Sequence, residues 1–217
     1  MTFKFVARAG VALSILSAAG CIPLTVGSTA KPVPVGTTVH STSAYFVPNS
    51  FDDSIHHRSF PRYGVDYEVR FGFDDHSDIG VRVPSGSGIV ANYKRRLNGV
   101  SEAPGPATSI MVGGGIVNWG EHAHLEATLI TSAAENDRFT PYGGLRAMQV
   151  IPINRGAVSD SPTLGGFLGA RIGSLIAGIS PELGIFYDHS ALHLHKGNVL
   201  FVPAITVHGD VARWLRP

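Results

Sequence analysis

His122, His124 and Glu126 stand at every second position and form the densest set of potential metal ligands in the chain. Residues two apart on a strand point to the same face, so all three could turn toward one cation. The spacing specifies no further ligand. The alternative outcome for such a triplet is a polar strand face answered by charged partners on neighbouring strands. A second histidine-rich stretch, DHSALHLHK (188–196), sets His189 beside Ser190, with His193 and His195 following. A hydrolase needs an oriented base next to its nucleophile and a donor for the oxyanion. Asp188 adjoins His189, but adjacent strand residues face opposite ways, so this stretch reads as a polar loop. His56 and His57, among Asp52, Asp53 and Arg58, read as a solvated loop. GSG (86–88) and GGG (113–115) lack the Lys-Ser/Thr and the helix that a phosphate loop requires. The residues therefore specify no catalytic set and no cofactor, and the expectation is a protein that is not an enzyme.

The elements that would position these residues are strands. In YGVDYEVRFG (63–72) the odd-numbered residues are Tyr63, Val65, Tyr67, Val69 and Phe71, and the even-numbered ones are glycine or charged. The same period of two recurs along the chain. Ile79, Val81 and Val83 oppose Asp78, Gly80 and Arg82; Leu125, Ala127 and Leu129 oppose His124, Glu126 and Thr128. It predicts strands near 36–47, 62–73, 77–83, 87–97, 107–118, 122–132, 139–151, 163–174, 178–188 and 198–208. Turn chemistry separates several of them, as in FDDHSD (73–78), PSGSG (84–88) and WGEH (119–122).

Two architectures share this period. A soluble lipocalin-like barrel turns its apolar face inward and binds a lipid or another apolar ligand. A transmembrane barrel turns that face outward to lipid and its charges into the lumen. Three features favour the second. The polar face is rich in glycine, which weakens a solvent-facing strand but suits a crowded interior. Its charges nearly cancel: Arg62, Arg70, Arg82, Lys94, Arg96, Arg146 and Arg171 against Asp66, Glu68, Asp78, Glu126, Glu182 and Asp188. Buried charges persist when paired, so this balance suits an enclosed network with Arg70, Arg82, Glu68, Asp78 and Arg171 at its centre. Finally, Tyr63, Phe73, Trp119, Phe139, Tyr142, Tyr187 and Trp214 fall near strand ends, where interfacial girdles form. The expectation is an all-β, antiparallel up-and-down transmembrane barrel of about ten strands, with eight as the alternative.

Composition agrees. Charged residues are 15% of the chain, against roughly 25% in ordinary soluble domains. A net charge of +1 lacks the basic footprint of a nucleic-acid binder. In YKRR (93–96), Lys94 and Arg96 share the lumenal face, and lumenal pairing or headgroup contact accounts for the run.

Residues 63–97, together with TPYGGLRAMQ (140–149) and PTLGGFLGARIG (162–173), resemble strands of small bacterial outer-membrane β-barrel proteins. The resemblance covers roughly residues 36–208, concerns pattern more than any one motif, and implies the fold without an activity. At the C-terminus Trp214 is followed by Leu-Arg-Pro, a departure from that family's aromatic end signal.

At the N-terminus, Lys4 and Arg8 precede the apolar segment AGVALSILSAAG (9–20), which has signal-peptide length. Ala18-Ala19-Gly20-Cys21 resembles a bacterial lipobox, which implies a lipidated Cys21 as the mature N-terminus; an ordinary secretory signal cut near Gly20 is the alternative. In the lipoproteins it resembles, an aspartate after the cysteine retains the protein in the inner membrane, so Ile22 leaves an outer-membrane destination open. The expected organisation is signal peptide 1–20, lipidated N-terminus and flexible tether 21–36, barrel 37–208 and tail 209–217. The expected partners are outer-membrane lipids and the barrel-insertion and lipoprotein-sorting machineries. The function expected is that of a lipid-anchored envelope structural or interaction protein, or a minor small-solute channel, with an ion-paired and largely plugged lumen. A barrel-embedded lipid hydrolase using His189 or Ser190 is the further alternative.

Overall fold

The computed structural model describes residues 22–52, 59–100, 105–136, 138–153, 162–188 and 199–209. Ten strands follow one another: β1 (Thr38–Asp52), β2 (Ser59–Asp74), β3 (Ser77–Pro84), β4 (Ile89–Arg96), β5 (Ala107–Val117), β6 (His122–Ser132), β7 (Thr140–Pro152), β8 (Thr163–Gly173), β9 (Gly178–Tyr187) and β10 (Val199–His208). Each pairs antiparallel with its neighbours in the chain, and β1 closes on β10 from Ser41 opposite His208 to Tyr45 opposite Ala204. Closure leaves no free sheet edge. The fold is thus a ten-stranded up-and-down barrel, as the alternation predicts.

The orientation of the two faces decides between the architectures. Along β6, Leu125, Ala127 and Leu129 are exposed while His124, Glu126, Thr128 and Ile130 are buried. Along β2, Val65, Tyr67 and Phe71 are exposed while Asp66, Glu68 and Arg70 are buried. The apolar face is outside and the charged face inside. This inverts a lipocalin and overturns that alternative. Water would oppose such an exterior, whereas hydrocarbon accepts it. Exposed aromatics mark both ends of the wall, with Tyr63, Trp119 and Tyr187 at one and Phe73 and Phe139 at the other. Tyr142 departs from the expected girdle: it is buried in the lumen, because it lies in register with the inward-facing Thr140 and Arg146. Trp214 lies outside the described residues.

Because the strand number is even, β1 starts and β10 ends at the same end of the barrel, here called the base. The opposite end is the rim. The rim is uneven. β1 has 15 residues and β2 has 16, whereas β3 and β4 have 8 each. Pro84 of β3 pairs no further along β2 than Asp66, so the β1–β2 hairpin stands above that part of the wall.

Residues 22–36 differ from the flexible tether read in the sequence. Ile22 to Ala30 are all buried, as are Pro32 and Val33, and the segment runs inside the barrel. A barrel of about eight strands is just filled by its own side chains. Two more strands widen the lumen enough to admit an extended chain. Two buried apolar clusters mark its path. Near the rim Ile22 and Leu24 pack with Tyr45, Val47, Met148, Val150, Phe186, Leu200 and Val202. Nearer the base Val26 and Ala30 pack with Ala107, Met111, Ile130, Tyr142 and Phe167.

Candidate functional site

The lumen holds the only concentration of buried polar chemistry among the described residues, and the inserted segment lies at its centre. A peptide enclosed by a wall must satisfy every amide and carbonyl there. The wall supplies partners from rim to base. Tyr45 Oη donates to the Ile22 carbonyl at 2.8 Å. Arg82 and Arg146, from strands on different sides of the barrel, both donate to the Thr25 carbonyl, at 2.6 and 2.8 Å. Glu182 accepts the amides of Val26 and Gly27 at 2.9 and 2.8 Å, and the Tyr142 hydroxyl at 3.0 Å. Two successive backbone amides thus cradle one carboxylate. Gly27 makes this possible: its φ is +60°, and a Cβ there would run into Thr206.

Toward the base, Lys94 Nζ donates to Ser28 Oγ, the Thr29 carbonyl and the Lys31 carbonyl at 2.9, 3.2 and 3.1 Å. Ser109 donates to the Ala30 carbonyl, and Arg171 reaches the Gly27 carbonyl at 3.4 Å. Asp78 accepts the Val33 amide at 2.8 Å. The segment ends in a turn, Thr37 N to Pro34 O at 3.0 Å, and Val35 bridges to Gly72 of β2 before β1 begins.

Behind these contacts the wall charges pair with one another. Arg70 binds Glu68 at 2.8 Å, Asp78 and the Asn92 side chain, the last at 2.8 Å. Arg82 binds Glu68 and Lys94 binds Asp78, each at 3.1 Å. This cluster leaves no room for a side chain at Gly80, whose Cβ would lie 2.7–2.8 Å from Asn92 Oδ1, Arg70 Nη1 and Glu68 Oε1. A second group joins Arg146 and His124 through Glu126, with His124 at 3.2 Å. A third links Arg171 to Ser180 at 2.7 Å, Ser180 to His208 at 3.0 Å and His208 to Ser41 at 2.8 Å.

The residues picked out in the sequence therefore divide. Glu68, Arg70, Asp78, Arg82 and Lys94 form one network, and Glu126 and Arg146 form another. Arg171, placed by sequence with the first group, instead holds Ser180 and the plug. Asp66 is buried, with Arg82 and Arg146 the cations acting on it. Arg96 donates to the carbonyls of Val100 and Pro106 at 2.5 and 3.4 Å and secures the β4–β5 connection. Asp188 accepts from Thr163 at 3.0 Å at the rim end of the wall, and Arg62 is partly exposed. The triplet on β6 does not converge. His124 and Glu126 meet, but His122 lies at the strand end within 3.4 Å of Asn118, and no group of three such ligands is placed around a common point among the described residues. His189 and Ser190 lie outside the described residues, as does Cys21.

Sequence reasoning missed the plug and the residues that serve it, chiefly Tyr45, Ser109 and Tyr142. One signal was available. Residues 22–30, IPLTVGSTA, carry no charge and are mostly small or β-branched, a composition that fits a narrow interior as well as a linker.

No family model matches the chain, and no curated protein matches it. Among solved structures it is similar to neisserial surface protein A, at 14% identity over 78% of this chain and 95% of that one, with a TM-score of 0.35. It is also similar to the outer-membrane protein OprG of Pseudomonas aeruginosa, at 12% identity over 82% and 98%, with a TM-score of 0.37. The attachment invasion locus protein Ail of Yersinia pestis gives 11% identity over 79% and 95%, with a TM-score of 0.29. At these scores the fold rests on the strand pairing of this chain itself.

Proposed function

We propose that this chain is a lipid-anchored barrel of the bacterial outer membrane, closed by its own N-terminal segment, acting in the envelope as a structural or interaction protein. The observation that carries the reading is the bonding of the plug. Arg82, Arg146, Lys94, Asp78 and Glu182 all spend contacts on its backbone, so the lumen is sealed by a fixed element. The apolar exterior with aromatics at both ends supports a bilayer setting. The lipobox-like sequence ending at Cys21 supports an acyl anchor, and with it passage through the lipoprotein-sorting and barrel-insertion machineries.

Planar-bilayer recording of the full chain beside a variant lacking residues 22–35 tests the seal. The expected result is no resolvable steps from the full chain and steady steps from the deletion. Equal conductance from both would favour the minor-channel reading. Metabolic labelling with radioactive palmitate tests the anchor, and label should disappear in Cys21→Ser.

A further inference from the structure

We infer that the chain is threaded through its own barrel so that its mature N-terminus emerges at the rim, on the cell-surface side. This goes beyond the closed-lumen reading but rests on its outer-membrane setting. The direction of threading follows from the register. β1 leaves the base at Thr38, yet Ile22 is bonded to Tyr45 and packed with Val47, Phe186, Leu200 and Val202. Phe186 and Leu200 are the paired residues next to the rim ends of β9 and β10. Val33, in contrast, is bonded to Asp78, beside the base end of β3. The segment therefore descends the lumen from rim to base, turns at Pro34–Thr37 and returns upward as β1.

Which end faces outward follows from the connections. In barrels of this kind the turns on the periplasmic side are short and the loops on the outer side longer. The rim carries the four-residue turns 85–88 and 118–121, but also the two longest connections taken together, 153–162 and 188–198, and the projecting β1–β2 hairpin. The base carries the tight turns 75–76 and 174–177, the seven-residue 133–139 and the ten-residue 97–106. The rim is accordingly the outer end. An acyl group on the residue preceding Ile22 then enters the outer leaflet, where a lipoprotein tethered from the periplasm would place it in the inner one. The plug cannot reverse in place, because Glu182, Lys94 and Asp78 each read a different part of its backbone.

Three full-length proteins test this, each with one epitope: directly after Cys21, within 188–198, or directly after Gly209. Antibody is applied to intact and to permeabilised cells. The expected pattern is binding on intact cells for the first two and only after permeabilisation for the third. Protection of the first epitope while the second is reached would overturn the threading direction. Protection of the second on intact cells would instead overturn the outer-membrane orientation on which the inference rests. The same set in a Cys21→Ser background separates threading from lipidation, because the N-terminal epitope should stay accessible without the anchor. A Leu24→Cys, Leu200→Cys pair in that background guards against an epitope that expels the plug. It should cross-link in purified protein carrying no epitope, and failure to do so would also overturn the proposal.

Discussion

In a Cys21→Ser background, where no acyl group bars the lumen, replacing Glu182 with alanine should release the plug while leaving the wall closed. The carboxylate accepts from the amides of Val26 and Gly27 and from the Tyr142 hydroxyl, at 2.8–3.0 Å. Truncation leaves three buried donors without their acceptor, and each such loss costs about 1–3 kcal/mol. With partial relaxation the total is about 3–5 kcal/mol, a shift of roughly a hundredfold to a few thousandfold in the equilibrium between seated and released plug. The strand ladder is untouched, since β8–β9 and β9–β10 pairing runs through backbone atoms. Glu182→Gln keeps one acceptor oxygen and should fall between. The assay is limited proteolysis of detergent-solubilised protein, with cleavage within 22–36 read by mass spectrometry, beside the heat-dependent gel shift that reports the closed barrel. Cleavage should rise by at least tenfold in Glu182→Ala while the unboiled protein still migrates as a folded barrel. Unchanged cleavage would refute the claim that this carboxylate holds the segment. Loss of the folded band would refute the separation of plug from wall.

Leu145, 66% exposed on the outer face of β7, tests the bilayer reading: Leu145→Arg should cost about 2–4 kcal/mol in lipid, and unfolding of the reconstituted variant in urea would show no change if that face met water. Gly80→Ala should loosen the Arg70–Glu68–Asn92 cluster and lower the temperature of the gel shift, and an unchanged temperature would mean the cluster yields freely. Gly27→Ala should unseat the plug through its positive φ and its collision with Thr206; adding Thr206→Ala relieves only the collision, so proteolysis within 22–36 should be partly and not wholly suppressed.

Much of the barrel was legible because a period of two is forced by the pleat wherever the two faces meet different media. Eight of the ten strands begin and end within two residues of where the alternation places them, while β1 runs five residues further and β2 starts three earlier, and the ion-pair partners of Arg70, Arg82 and Lys94 were all among the charges it turned inward. What it could not convey is which residues share a level around the wall. Arg171 was therefore grouped with Arg70, whereas register sets it beside Ser180. The plug was hidden for a different reason. A segment enclosed on all sides has no polar face to alternate with, so IPLTVGSTA carries no period and reads like a linker. Tyr142 was misplaced because its nearness to a strand end suggested an interface, although its parity with Arg146 already pointed inward.

The descending segment also changes what kind of stability the molecule has. A strand held in a lumen by hydrogen bonds alone can leave by sliding along it. Here one end is continuous with β1, and the acyl group proposed above would keep the other from passing through. The segment and the ring around it would then be mechanically interlocked, like a ring on a stoppered axle. Escape requires unzipping the β1–β10 seam. Formation requires that the segment already lie inside when that last pair of strands meets. In the acylated chain the seam that closes the wall would therefore also lock the segment in place, and the slow step in losing the plug would become the opening of the barrel itself.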